Sequence, residues 1–457
     1  MFHVKQLLNL PTILTWRAGV KQYLYNLRNF KIHEILFHVF LFLIPIQLRI
    51  LYNPESAYID WYFNYHQAMF FYLSDIVLLT CFIAWFIFDF PKELLKSRIF
   101  RLILGFFALL ALSLLHVKQI SALQWYETWK WVELFILIVY VEQTFKTRVQ
   151  FLIPFTMLFI GAVCQSILAI AQFHVQHGFG LSFIGEYIAP LGTSGLATLN
   201  FGTEKVIRAY GTMPHPNVLG AFLVLGLIIG LYLLSRTKTS VSRVIVSCGT
   251  ILITLGIFVS FSRMAWSAAA ITFLAYLIYM FHAKQYKQFW LTLAIGIVSC
   301  GTILILWSKY LLVRTTDIDP TSISSRGLFN NMTVELIKNH LVLGTGAGNY
   351  IETLKSIFHV QPWQYQPAHN IFLVITAQFG VLGLGLFLKL LYELSVKLIN
   401  VSRRETITMV CVFAGVIFLL MGQADHYFVT IQQGRLIFFT ILGLIAALPN
   451  LGHETSD

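Results

Sequence analysis

Residues 216–235 read PNVLGAFLVLGLIIGLYLLS, twenty positions without a charged side chain. A helix needs about 20 mostly apolar residues to cross the hydrocarbon core of a bilayer, so this stretch makes a membrane span by itself. It has company. Apolar stretches recur near 33–51, 69–90, 99–116, 121–141, 149–172, 243–261, 264–282, 289–308, 370–392, 406–428 and 434–450. Lipid offers no partner to a backbone N–H or C=O, so only helices or a closed barrel can span it. The alternation that a barrel strand requires is absent. The expectation is an all-α integral membrane protein with about 12 transmembrane helices.

Composition excludes the other classes. Of 457 residues, 57% are hydrophobic and 11% charged, whereas a soluble chain carries roughly 25% charged residues. Disorder, a collagen-like repeat and a secreted disulfide scaffold are ruled out. The net charge of +12 would suit nucleic acid if the cations were gathered in one polar domain, and they are not. Cys81, Cys164, Cys248, Cys300 and Cys411 each sit in an apolar run without CxxC or Cys/His spacing, so they read as small buried hydrophobes. No metal site or cofactor is expected.

Lysine and arginine set the orientation. With the N-terminus inside, 20 of the 32 fall in inner segments and 11 in outer ones, with Lys130 within a span. This bias places both termini in the cytoplasm. The chain then divides into a basic cytoplasmic head (1–32), a polytopic domain (33–450) and a short cytoplasmic tail (451–457). The head bears Lys5, Arg17, Lys21, Arg28 and Lys31, and its first apolar run begins only near Ile35, unlike a cleaved signal peptide. Two long connections, 173–215 and 309–369, both fall outside, and long structured loops in a compact domain carry function. The working face is therefore expected on the outer side.

The second long loop holds apolar positions 328, 329, 332 and 336 at helical spacing after Ser324-Ser325, which predicts an amphipathic helix. Gly344-Thr345-Gly346-Ala347-Gly348-Asn349 follows. It does not succeed a strand of a βαβ unit, so it fits a tight turn or the lining of a site rather than a P-loop. The loop closes on His369-Asn370 at the start of the tenth span. A helix N-terminus favours the neutral imidazole, the form a general base uses; a capping or interfacial histidine fits the position too. Arg208 precedes His215-Pro216-Asn217, with Pro216 suited to a first helical turn. Arg263 lies in the very short turn between the seventh and eighth spans, and Arg326 and Arg435 are further outer arginines. Arginine pairs bidentately with phosphate, so several beside a membrane suggest an anionic headgroup or a diphosphate, with interfacial snorkelling as the plain alternative. Glu127, Lys130 and Glu133 read as an internal ion pair. Asp75, Asp425 and His426 stay open. Asp317-Ile318-Asp319, followed by Pro320, reads as a turn before a cation site.

At these residues the chain resembles a known family. His369-Asn370 followed after nine residues by Gly380-x-x-Gly383 is similar to the motif of bacterial O-antigen ligases. Arg208 with His215-Pro216-Asn217, Ser262-Arg263-x-x-Trp266 and Gly344-x-Gly346-x-Gly348-Asn349 resemble the same superfamily, which also holds O-antigen polymerases and protein O-oligosaccharyltransferases. The resemblance covers roughly 200–390 closely. It implies a GT-C-type glycosyltransferase in the bacterial inner membrane with a periplasmic active face, inverting and metal-independent. The implied donor is an undecaprenyl-diphosphate-linked glycan. The implied acceptor is a hydroxyl of lipid A–core oligosaccharide. Carried over by position, Arg208 and Arg263 would bind the donor diphosphate and His369 would activate the acceptor. Arg326, Asn217, Asn370 and Arg435 are the candidates for a supporting role. The nearest rival is an O-antigen or exopolysaccharide polymerase that adds to a growing glycan. A protein-glycosylating enzyme would need more room outside the membrane. A transporter is the rival of another class, but it calls for midplane ionisable groups and broken spans in matching halves. A lipid-binding scaffold is the non-catalytic reading.

Overall fold

The computed structural model describes residues 31–115, 121–193, 195–201, 204–316, 320–400 and 406–448. The basic head up to residue 30, Lys118, Asp317-Ile318-Asp319, Arg403, Arg404 and the 451–457 tail lie outside the described residues.

Every apolar stretch is occupied by a helix. These are α1 (Ile32–Leu43), α2 (Leu73–Phe88), α3 (Arg98–Leu115), α4 (Ala122–Thr144), α5 (Arg148–Val175), α6 (Pro216–Arg236), α7 (Ser240–Val259), α8 (Arg263–His282) and α9 (Tyr286–Thr316). The chain continues with α10 (Pro320–Asn339), α11 (Tyr350–Ile357), α12 (Ile371–Asn400), α13 (Thr406–Gly422), α14 (Tyr427–Thr430) and α15 (Gln432–Ala447). Seven of them, α3, α5, α6, α7, α8, α9 and α12, are long and apolar enough to cross a membrane, and α1, α2, α13 and α15 are shorter apolar helices. The protein is an all-α integral membrane protein. The remaining stretch, the fourth, forms α4, which carries Glu127, Lys130 and Glu133 among its apolar residues, and its charges are met inside the bundle.

Helix α6, and α15 beyond its polar first turn, are apolar on every side, and both are almost wholly buried. That pattern suits only a bundle centre. Accordingly α6 packs against α5, α7, α8 and α13, and α15 packs along α4 and α13. Glycines let the central helices close up: a Cβ on Gly226 would collide with Ala162, and one on Gly256 would meet the Ser166 hydroxyl at 2.7 Å. The outer surfaces of α8 and α9 stay apolar and exposed, with Leu274, Ile297 and Ile305 more than half accessible, as lipid-facing positions require.

Three differences from the sequence reading concern the ends of spans. The first span stops at Leu43, because Pro45 cannot continue the helix, and the apolar residues beyond it form a ribbon instead. Strand β1 (Arg49–Tyr52) pairs antiparallel with β4 (Met69–Tyr72), so that Arg49 faces Tyr72. Between them sits a smaller ribbon, β2 (Tyr58–Ile59) with β3 (Tyr62–Phe63). A third, β5 (Thr198–Phe201) with β6 (Glu204–Ile207), lies within the first long connection. The eleventh span ends at Gly422 and is followed by a turn and the short α14. The ninth runs on to Thr316 with a kink at Trp307.

The second long connection is helical. As expected from its spacing, α10 buries Phe329, Met332 and Leu336. The last two join Tyr350, Ile351 and Leu354 of α11 in a satellite core separate from the main one.

Candidate functional site

The turn after α13, the N-terminus of α6, the approach to α12 and the 53–68 segment meet at one end of the bundle. They enclose a cavity of about 300 Å³ lined by His66, His215, Asn217, His369, Asp425 and His426, with Tyr62 to Tyr65 closing one side.

His369 is held by its neighbours rather than by its own helix. Its backbone N–H donates to Asn330 Oδ1 of α10 (3.1 Å), and its ring lies over Phe329, with centroids 6.0 Å apart. The next residue, Asn370, caps α12: its Oδ1 accepts from the N–H groups of Phe372 (2.9 Å) and Leu373 (3.2 Å). Its Nδ2 reaches Gln423 in the turn after α13 (3.1 Å). Asn370 is thus a strut between two elements.

That turn carries the carboxylate the site depends on. His369 Nδ1 lies 3.3 Å from Asp425 Oδ1. This is ion-pair range, but the N–H direction is not aligned for a full hydrogen bond, as is common before a substrate tightens a site. Asp425 Oδ1 accepts from the His426 backbone N–H (2.9 Å), and Oδ2 accepts from Asn217 Nδ2 (3.1 Å). Burial by itself would push the Asp425 carboxyl up. The His369 contact foremost outweighs it and holds the group well below the usual carboxylate range.

Three further imidazoles converge here. His426 packs edge-on to His369, centroids 5.0 Å apart, and to His66 at 5.3 Å. Burial pushes His426 down to about 3 against the pull of Asp425. His215, also lowered to about 3 by burial and then by Arg208, is the N-cap of α6: its Nδ1 accepts from Asn217 N–H (3.1 Å). Pro216 fills the first helical turn as the sequence suggests. Burial likewise holds His66 far below the ordinary imidazole range. His215, His426 and His66 are therefore neutral around an ionised Asp425.

Arginines adjoin this cluster through Asn217, whose Oδ1 accepts from Arg208 Nη2 (2.8 Å) while its Nδ2 serves Asp425. Arg208 Nε donates to Ser260 O (2.9 Å). Arg314 Nε donates to the next carbonyl, Phe261 O (3.0 Å), and Arg263 donates to Arg314 O (3.1 Å). Three guanidiniums therefore surround the α7–α8 turn, where Phe261 adopts φ 48°. Burial, followed by repulsion from Arg314, pushes Arg208 down to about 9, with Arg263 adding to the repulsion. It is still charged at neutral pH, and an anion beside it would relieve that repulsion. Ser262 caps α8 and Trp266 stacks flat on Phe258, centroids 4.9 Å apart, which fixes the turn. Next to it an apolar groove of about 680 Å³ runs between α7, α8 and α9, lined by Phe258, Trp266, Phe273, Ile303 and Leu311.

The two arginines expected in a supporting role are placed differently. Arg326 is half-buried on α10 and lies close enough to His426 and His215 to lower both. Arg435 stands further off: it is buried in α15, pairs with Glu127 Oε2 at 2.7 Å, and lines a small adjoining cavity with Tyr126 and Gly348 that shares Tyr65 and His66 with the first. The internal pairing expected on α4 forms between Lys130 and Glu133, 3.7 Å apart, with Asp75 of α2 as the closer partner of Lys130, while Glu127 serves Arg435 instead.

The glycine stretch is a turn, and the amides of its first half are occupied by the chain itself. Thr345 N–H donates to Ala377 O and Gly346 N–H to Gln378 O, both 2.9 Å. Those carbonyls are available because α12 breaks at Gly380, φ 65°. A Cβ there would collide with the Val342 carbonyl. The Gly380 element of the histidine motif is thus the point where the second loop is stitched into a span.

Sequence reading found His369, Arg208, Arg263 and Asn217, and left Asp425 and His426 open as a polar pair ending an apolar run. It missed His66 and the position of Arg314. Neither stands out locally, since both act through contacts made across the fold.

Residues 248–388 match the family model described as O-antigen ligase. The match takes in Arg263, Arg314, Arg326, His369 and Gly380, while Arg208, Asn217 and Asp425 lie outside it. Comparison with curated proteins finds no match.

Proposed function

We propose that this member of the O-antigen ligase superfamily transfers a glycan from undecaprenyl diphosphate to a hydroxyl of lipid A–core oligosaccharide, at the periplasmic face of the bacterial inner membrane. The observation that carries the reading is the single relay Arg208–Asn217–Asp425–His369, which joins an arginine cluster to a histidine–carboxylate pair across one cavity.

The chemistry follows from the parts. Asp425 faces His369 Nδ1, which places the ring proton on Nδ1 and leaves the Nε2 lone pair for the acceptor. As the acceptor oxygen bonds to the anomeric carbon, its proton passes to Nε2, and Asp425 stabilises the imidazolium. The bond from the anomeric carbon to the diphosphate oxygen breaks, and the diphosphate leaves with the electron pair. Arg208, Arg263 and Arg314 stand where that charge develops. Attack from the side opposite the leaving group inverts the anomeric centre. The groove beside Arg263 suits the polyprenyl tail, since it is apolar along its length and cationic at one end. Proton and leaving-group charge are both handled by side chains in this reading, without a metal.

The test is product identity. Membranes holding the protein receive undecaprenyl-diphosphate-linked glycan and lipid A–core. Glycan on lipid A–core supports the ligase. Longer lipid-linked chains with unmodified core would make the protein a polymerase.

A further inference from the structure

His369, Asp425 and His426 each offer one donor atom, and these atoms all lie within 4.8 Å of one another. In a tetrahedral zinc site with bonds of about 2.0–2.1 Å, neighbouring donors stand about 3.4 Å apart. The His369 Nδ1 to Asp425 Oδ1 separation of 3.3 Å is already at that spacing, so only His426 has to close in. Two imidazoles and one carboxylate make a donor set for zinc, cobalt or nickel rather than for magnesium or calcium.

His369 Nδ1 is buried and makes no hydrogen bond, so a metal takes it once the ring proton moves to Nε2. For His426, Nδ1 stands 2.6 Å from the Thr430 hydroxyl, which also lies 3.0 Å from His426 O; in the tautomer whose Nδ1–H donates to this hydroxyl, Nε2 keeps its lone pair. A hydrogen bond of this kind on the far nitrogen is how metal-binding imidazoles are oriented. Arg208 and Arg326 oppose a dication, so the site is suited to reversible occupancy rather than permanent loading.

We infer that His369, Asp425 and His426 form an inhibitory site for a divalent transition-metal ion. A metal taking His369 Nδ1 moves the ring proton to Nε2. The proton is conserved, but the lone pair that receives the acceptor's proton is gone. The cavity is then filled and its base capped at once. The inhibitory half rests on the transfer reading above; the binding half does not.

Co²⁺ serves as the probe, because tetrahedral Co²⁺ absorbs visibly. Full-length protein in nanodiscs is titrated with Co²⁺, then with competing Zn²⁺, and transfer is measured with Zn²⁺ and after chelation. The expected result is a tetrahedral spectrum displaced by Zn²⁺, absent in His426→Ala, with transfer blocked by Zn²⁺ and restored by chelator. Thr430→Val removes the orienting contact, so it should keep transfer but weaken Zn²⁺ inhibition by roughly 10–100-fold. No Co²⁺ spectrum, or the same spectrum in His426→Ala, overturns the site. Zn²⁺ that binds here without slowing transfer, or that speeds it, overturns the inhibitory role. If metal-free protein transfers nothing, the transfer reading fails, and the Co²⁺ spectra still decide the site.

Discussion

Asp425→Asn is the substitution that probes the reaction most finely. It preserves shape, and the amide oxygen still accepts from either His426 N–H or Asn217 Nδ2, though not from both, because one carboxylate oxygen becomes a donor. The larger loss is a charge 3.3 Å from His369 Nδ1. Two unit charges at that separation interact by about 5 kcal/mol at an effective dielectric constant of about 20. With the proton roughly half transferred in the transition state, about 2.5 kcal/mol of that stabilisation is lost, or roughly 10² in rate. The assay is steady-state transfer with donor and acceptor varied separately, alongside a thermal melt to verify folding. The fall should appear in kcat, with the donor KM little changed. Full activity, or a loss confined to donor KM, would refute the argument that the carboxylate supports a developing imidazolium.

Other outcomes are equally specific. Lys130→Met leaves Asp75 and Glu133 buried without their ammonium group, and should cost about 3–5 kcal/mol, read as a lowered melting temperature in detergent. Gly380→Ala forces a side chain onto φ 65° and against the Val342 carbonyl, so the yield of folded protein should collapse while Gly385→Ala, with nothing near it, is tolerated. His215 is held at about 3 when folded and titrates near 6.5 when unfolded. Between those values the unfolded chain binds a proton that the folded one does not, so stability falls as pH falls through this window, by about 2 kcal/mol at pH 5. His215→Asn, which keeps a capping acceptor, should flatten the decline of melting temperature between pH 6.5 and 5.

The spans were legible because membrane burial imposes a uniform rule on some twenty consecutive residues, and Pro216–Arg236 satisfies it without help. Their ends were not. Ile50-Leu51-Tyr52 and Met69 to Tyr72 are as apolar as the helices they adjoin, and short apolar runs do not distinguish strand from helix. Pro45 was the one local sign that the first helix stops. In the site, His369 and the arginines were visible as unusual residues beside spans. Their partners were not, because each pairing joins distant parts of the chain: Asn217 to Asp425 over 208 residues, and Glu127 to Arg435 over 308. Within α4 the expected pair forms between Lys130 and Glu133, but the closer partners, Asp75 for Lys130 and Arg435 for Glu127, come from other helices. The glycine stretch was ambiguous because its amides could serve a ligand or the chain, and only the break at Gly380 shows which carbonyls take them.

The central claim is that one site divides its labour between arginines for the leaving diphosphate and His369 for the acceptor. The most direct test measures donor binding and turnover separately in His369→Ala and Arg208→Ala, with undecaprenyl-diphosphate-linked glycan as ligand. His369→Ala should bind the donor normally and transfer nothing measurable, and Arg208→Ala should bind the donor weakly. Transfer persisting in His369→Ala, or unchanged donor binding in Arg208→Ala, would contradict it.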